Sequence, residues 1–497
     1  MNRVVFAVPT MRALFSIHIW LSVVLVVCST RRQDKKKFHH KFSEPSNVDE
    51  TINICDLQTF REINVQCHCD SETYSNATEA KCWIFNEGEK EDSFIWEEFR
   101  SQPKLRILEV NVRSTLTYVP TKALSNLAEL SSFTLMYGNI TRIVPYAFAN
   151  LTSLERLELK HNNVEVLEKY SVSNLPSMKE ITLSNNAIKE ISRDIFKNLP
   201  SLKRLYIEEN SINVVQDLAF SELRNLEELE MHRNQITAIS RNTFAGLMSL
   251  KRLDLHSNLL SELKDFTFAE MPNLVELFVD QNMIESVGEK VFYALKRLDR
   301  LVMAENKLHI LPDNVFVSLP HLRVLDLRDN LLQTFTYDTA SPILDKLKNE
   351  SFYFHIEGNR LECDCNLSWI RTLANETANT QLRSKLQQLS CYMKGDYYTN
   401  DDSDQEINTN GLTDSRLLRE GALSSSRNLE NMPENVDRML KLFNIPAETL
   451  PCPEKRQANE NPLMEQMSKN ERASGSPCVL LNFKLFTCLF LMAAFVL

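Results

Sequence analysis

One pattern limits what this chain can become. The motif Leu-x-x-Leu-x-Leu-x-x-Asn returns with a strict step of 24 residues. It reads Leu154-Leu157-Leu159-Asn162, then Met178-Ile181-Leu183-Asn186, then Leu202-Leu205-Ile207-Asn210. Copies at Leu226, Leu250, Leu274 and Leu298 follow, ending in Asn234, Asn258, Asn282 and Asn306, and Leu322-Leu325-Leu327-Asn330 closes the regular set. Upstream, Leu130-Phe133-Leu135 keeps the step with Gly138 in the Asn slot, and Leu105-Leu108-Val110 is a looser copy. Phe354, Ile356 and Asn359 mark a degenerate last one. A second ladder runs in phase: Phe148, Phe196, Phe220, Phe244, Phe268, Phe292 and Phe316, with Val172 in its remaining slot.

Each unit therefore carries a strand-like alternation and a second apolar segment, and it cannot bury either alone. Stacking the units buries a continuous core. The Leu positions point inward, Phe fills the convex side, and the Asn side chain can satisfy turn backbone inside the coil. The fold class expected is an α/β solenoid, a leucine-rich-repeat horseshoe with a parallel concave β-sheet and disulfide-bonded N- and C-terminal caps.

The two ends suggest the compartment. Residues 1–29 hold Arg3 and Arg12, an apolar run from Leu14 to Val27, and then small residues, which reads as a secretory signal peptide. At the other end, Ser474-Gly475-Ser476, a polar spacer and the greasy LFTCLFLMAAFVL read as a glycosylphosphatidylinositol signal, with Ser474 as the lipid-anchor residue and 475–497 as the removed propeptide. The alternatives are an uncleaved signal anchor and a type I membrane protein. Between these ends the expected order is a flexible basic leader (30–50), an N-terminal cysteine-rich cap (51–104) and the repeats (105–360). A C-terminal cap (361–452) follows, interrupted by a disordered acidic insert at about 393–450 with one short helix near Val436–Phe443, and then a stalk (453–474). The expected location is the extracellular face of the plasma membrane.

Apart from Cys28, Cys478 and Cys488 in the two end signals, the cysteines fall in two clusters of four: Cys55, Cys67, Cys69 and Cys82, and Cys363, Cys365, Cys391 and Cys452. An even number in a secreted chain implies disulfides, and Cys67-His68-Cys69 is read that way rather than as a zinc site. Six sequons are present, at Asn76, Asn139, Asn150, Asn349, Asn366 and Asn375, which leaves residues 153–348 free of them. That bare stretch is where a protein partner is expected.

Strand alternation then names the side chains on the concave face. They are Arg156, Glu158 and Lys160; Arg204, Tyr206 and Glu208; Glu228, Glu230 and His232; Arg252, Asp254 and His256; Glu276, Phe278 and Asp280; and Arg300 and Val302. Tyr206, Phe278 and Val302 put apolar groups among mixed charges, as interface hot spots do. The partner-binding set is Arg204, Tyr206, Glu208, Glu228, Glu230, Arg252, Asp254, Glu276, Phe278, Asp280, Arg300 and Val302. His232 and His256, one repeat apart, are neighbours in such a sheet and are read as an exposed pair, with no metal assigned. No G-x-S-x-G, H-E-x-x-H, P-loop or G-x-G-x-x-G is present, so neither catalysis nor a cofactor is expected. A formal charge of −10 gives no reason to expect nucleic acid.

The cysteine spacing C-x11-C-x-C-x12-C and the segment LECDCNLSW resemble the caps of extracellular leucine-rich-repeat proteins. That resemblance implies the pairs Cys55–Cys69, Cys67–Cys82, Cys363–Cys391 and Cys365–Cys452, the last weakened by the long insert before Cys452. The whole chain, with ICD…VQCHCD…NATEAKC, NVRSTLTYVPTKAL, the repeats, the CDC cap and the terminal signal, resembles the connectin-type insect adhesion proteins. The resemblance implies homophilic adhesion at motor axons and their muscle targets, with a partner on the apposed cell that is another copy of the chain. The competing readings are a lipid-anchored receptor subunit that needs a co-receptor, and a secreted matrix protein.

Overall fold

The computed structural model describes residues 52–59, 63–86, 88–393 and 438–452. The signal peptide, leader, stalk and anchor signal, and the insert up to residue 437, lie outside the described residues. Among those described, no helix is long and apolar enough to cross a membrane.

The central element is a 13-stranded sheet whose strands follow one another in chain order. Val65–Cys69 pairs antiparallel with Glu79–Ile84, and every later neighbour is parallel. The register repeats the sequence period: Arg204 lies beside Glu180 and Glu228, and Leu205 beside Ile181 and Leu229. Each inward Leu is buried, as Leu205, Leu229, Leu253 and Leu277 are. The last step is longer, from Val324 to Tyr353, and the extra residues form the short helical turns Tyr337–Ala340, Ser341–Ile343 and Leu344–Leu347.

The Asn ladder shows what holds one coil to the next. The Asn258 side-chain carbonyl accepts from the Ile236 amide at 3.0 Å, while its amide donates to the Met231 and Leu255 carbonyls at 3.1 and 3.0 Å. Asn210, Asn234, Asn282, Asn306 and Asn330 repeat this arrangement. The residue before each Asn takes a left-handed backbone, with φ near +53° at Glu209, Arg233, Ser257 and Gln281. Gly138 departs from the ladder because there is no room for more: a Cβ there would meet Asn162 Oδ1 at 2.6 Å, and the Gly138 amide itself donates to that oxygen.

The convex side is built of turns and two-residue parallel bridges, such as Glu262–Leu263 with Ser286–Val287, over the buried Phe ladder. Neighbouring rings stack at 6.2 Å, Phe244 on Phe268 and Phe292 on Phe316. Helix is concentrated in the flanks, with Ser368–Glu376 and Thr380–Gln387 in the C-terminal cap.

Disulfides join Cys55 to Cys69, Cys67 to Cys82, Cys363 to Cys391 and Cys365 to Cys452. The expected helix near Val436–Phe443 is corrected. Arg438–Lys441 is a strand, antiparallel to Ser390–Met393, followed by a short helical turn at Leu442–Asn444. The free edge beside Cys391 offers it a ladder, and Leu442 and Ile445 are buried against the cap, so the acidic insert ends in packed structure rather than reaching residue 450. Arg371 secures this segment by donating to the Leu442 and Ile445 carbonyls.

Candidate functional site

The concave face carries three columns of side chains, one per alternate strand position. In the first, the sign of charge alternates strictly through seven strands: Arg156, Glu180, Arg204, Glu228, Arg252, Glu276 and Arg300. Strands about 4.8 Å apart set Arg204 and Arg252 each between two carboxylates, while Arg156 and Arg300, at the ends, have one each. Arg204 makes two contacts with Glu180 Oε2 at 2.8 and 2.7 Å, and Arg156 reaches Glu180 Oε1 at 3.5 Å. Arg300 lies 3.6 Å from Glu276.

Arg252 is the hub. Its guanidinium donates to Glu276 at 2.9 Å, Asp254 at 3.0 Å and Glu230 at 3.3 Å, and lies 3.6 Å from Glu228. It also stacks 4.4 Å above the Phe278 ring. The second column runs Glu158, Thr182, Tyr206, Glu230, Asp254, Phe278 and Val302. The third continues the same strands with Lys160, Ser184, Glu208, His232, His256 and Asp280.

The concave side chains are crowded rather than freely solvated. Arg204, Tyr206, Glu208, Glu228, Glu230, Glu276, Phe278, Asp280, Arg300 and Val302 are half-buried, and Asp254 is only 4% exposed. The close strand spacing and the salt-bridge lattice crowd one another's side chains. The apolar groups are not bare either: Phe278 is capped by Arg252, and the Tyr206 hydroxyl donates to Glu228 at 3.1 Å.

Crowding shifts the titrations. Burial pushes the Glu230 carboxyl upward, against the pull of Arg252, and burial raises Asp280 as well. Burial also raises the Tyr206 phenol, with Glu228 adding to it. Asp254 is desolvated too, but hydrogen bonds from the His256 ring and backbone outweigh that and lower it. His256 Nδ1 lies 2.7 Å from Asp254 Oδ1, and this bond lifts His256 above its usual value. Burial depresses His232. The two imidazoles stack at 4.4 Å with an 11° interplanar angle.

Sequence reasoning placed His232, Asp254 and His256 on one face but did not join them. The structure does, because the diagonal across one strand step carries Asp254 to both rings. The signal was present as His232 and His256 at the same slot one 24-residue step apart, with Asp254 two positions before His256.

Of the sequons, Asn76, Asn139, Asn150, Asn349 and Asn375 are exposed. Asn366 is half-buried, and its amide donates to Asp364 at 2.9 Å, so its nitrogen is already engaged. Ser474 lies outside the described residues.

Residues 200–260, 248–308 and 272–332 match the family described as "Leucine rich repeat", and residues 98–227 match the "BspA type Leucine rich repeat region (6 copies)". The chain is a leucine-rich-repeat protein. A relative at sequence level is Connectin of Drosophila melanogaster, 40% identical over 65 residues, which is 13% of this chain and 10% of Connectin. The match thus spans about a tenth of that relative's length and establishes the repeat, not a connectin-type identity for the whole chain. Solved structures with a similar course include TLR13 in a complex with ssRNA13, with 20% identity and TM-score 0.40 over 57% of this chain and 47% of that one. Another belongs to an octameric complex of Latrophilin 3, Unc5D and FLRT2, with 25% identity and TM-score 0.45 over 54% of this chain and 78% of that one.

Proposed function

We propose that the protein is a lipid-anchored recognition molecule of the outer cell surface whose concave sheet binds another copy of itself on an apposed cell. The observation that carries this reading is the alternating column from Arg156 to Arg300. A stripe that reads the same in both directions is self-complementary under a two-fold axis: two antiparallel copies offset by one strand set Arg against Glu along the contact. Electrostatic matching of this kind selects a partner and a register more than it adds affinity. Half-burial of the charges lowers the ordering cost of docking, since the side chains are already held by their neighbours.

Further support comes from the sequon-free stretch 153–348, which leaves this face unobstructed, and from the signal peptide and anchor signal read in the sequence. The connectin-type resemblance agrees with it. Weak single contacts suffice between cells, because many anchored copies engage together.

The test is mixing of two differently labelled populations of non-adherent cells, one or both expressing the full chain. Mixed clusters only when both populations express it support homophilic adhesion. Clusters with non-expressing cells, or none at all, overturn it. Release of the protein from intact cells by phosphatidylinositol-specific phospholipase C tests the anchor separately.

A further inference from the structure

We propose that His232, Asp254 and His256 form a binding site for a divalent transition-metal ion of the zinc class on the concave face. Each offers one donor atom, and the three atoms lie within 4.8 Å of one another. Tetrahedral zinc with bonds of about 2.0–2.2 Å holds its ligands about 3.3 Å apart, so closure asks only for side-chain rotation. Two imidazoles and a carboxylate suit zinc, nickel or copper better than calcium or magnesium, which take oxygen.

Three observations point to a ligand there. His232 Nδ1 is buried without a hydrogen-bond partner; Glu230 Oε2, at 3.8 Å, is too far to serve. A buried ring nitrogen left unpartnered is a cost that a metal would remove. Next in the column after His256, Asp280 Oδ1 is likewise buried and unpartnered. Finally, the carboxylates acting on the two rings, Glu208, Asp254 and Asp280, outnumber the nearby Arg233, which favours a cation there.

The surroundings are also built to hold the ligands. Asp254 is fixed by Arg252 Nη2 at 3.0 Å and by the His256 amide at 3.1 Å, and it orients the His256 ring through Nδ1 at 2.7 Å. With Asp254 Oδ1 and His256 Nδ1 already 2.7 Å apart, a metal entering between them would take the place of the shared proton, while Arg252 holds the other carboxylate oxygen. His232 and His256 lie two residues past the ends of the adjacent strands Glu228–Glu230 and Arg252–Asp254, at equivalent positions of the repeat, and the Arg233 amide donates to the His256 carbonyl at 3.0 Å, so backbone hydrogen bonding carries on between them.

The test uses the full chain in detergent, freed of metal with a chelator and titrated with Zn2+ by calorimetry. The expected result is saturable uptake that the double variant His232→Asn with His256→Asn weakens at least tenfold. A second variant, His39→Ala with His40→Ala, removes the other adjacent histidines in the chain and is expected to retain the uptake. Absent uptake by the wild type, or uptake unchanged in His232→Asn with His256→Asn, overturns the proposal. Should that double variant lose its fold, Co2+ added to the wild type decides the matter: intense tetrahedral visible bands support the site, and a weak spectrum like that of aqueous Co2+ contradicts it. Metal uptake does not depend on self-adhesion, so either reading can fail alone.

Discussion

Arg252 lies with its guanidinium 4.4 Å over the Phe278 ring while its nitrogens reach carboxylates on three strands. One side chain thus serves a half-buried acidic lattice and covers the Phe278 ring. Arg252→Ala would leave Asp254 and Glu230 without their main cation. The expected cost is about 2 kcal/mol, below that of breaking a fully buried pair because the lattice is partly solvated. Urea unfolding checks this, with Arg300→Ala as a reference expected to cost well under half as much, since Arg300 holds only Glu276 at 3.6 Å.

Asn258 satisfies one amide and several carbonyls in the coil interior. Asn258→Ala strands those groups away from water, at an expected cost of about 3 kcal/mol. The damage should be local, because each repeat touches only its neighbours. Hydrogen exchange is expected to accelerate at Ile236 and Leu255 while the amides of the C-terminal cap keep their protection.

Gly246 has φ +96°, and a Cβ there would meet the Ser221 carbonyl oxygen at 2.4 Å. Both the backbone conformation and the space exclude a side chain. Gly246→Ala is expected to lower the thermal midpoint by several degrees in a scan, whereas Ala245→Gly, just before it, should do less harm.

Glu227 sits between Lys203 at 2.7 Å and Lys251 at 2.6 Å, each just before the strand of an adjacent repeat. The Lys203 bond first, and the Lys251 bond second, lower its carboxyl from 4.5 to about 2. A depressed carboxylate contributes stability that is present above 4.5 and is lost as the pH falls from there through about 2. The gain is small because the pair lattice is solvent-exposed. Carboxyl chemical shifts followed by NMR should show Glu227 titrating below the other glutamates, and Lys203→Met should move it back up.

The repeat, its register and the inward Leu were legible because a period of 24 residues states which atoms must be shared between neighbours. Alternation also placed the concave side chains on the correct face. Their burial was not legible: whether Asp254 is open or enclosed depends on Arg252 and His256 in the same lattice, and pattern alone does not give side-chain packing. Nor was the strand Arg438–Lys441 legible. Its partner, Ser390–Met393, lies some 50 residues away across the insert, and local helix propensity yields to that pairing. The metal-site geometry was missed for a related reason, since it runs diagonally between columns read one at a time.

If the concave sheet meets a second copy, a bulky group placed on it must block clustering. A glycan wedge tests it most directly. Tyr206→Asn with Glu208→Thr places a sequon in the middle of the sheet, and Glu262→Asn with Lys264→Thr places one on the other side of the coil, where both side chains are exposed. Cells expressing each variant at equal surface density, with glycan occupancy checked by mobility, would be scored for clustering. The wedge at 206 is expected to abolish clusters and the wedge at 262 to leave them intact. Clustering that survives the wedge at 206 would contradict docking through the concave sheet.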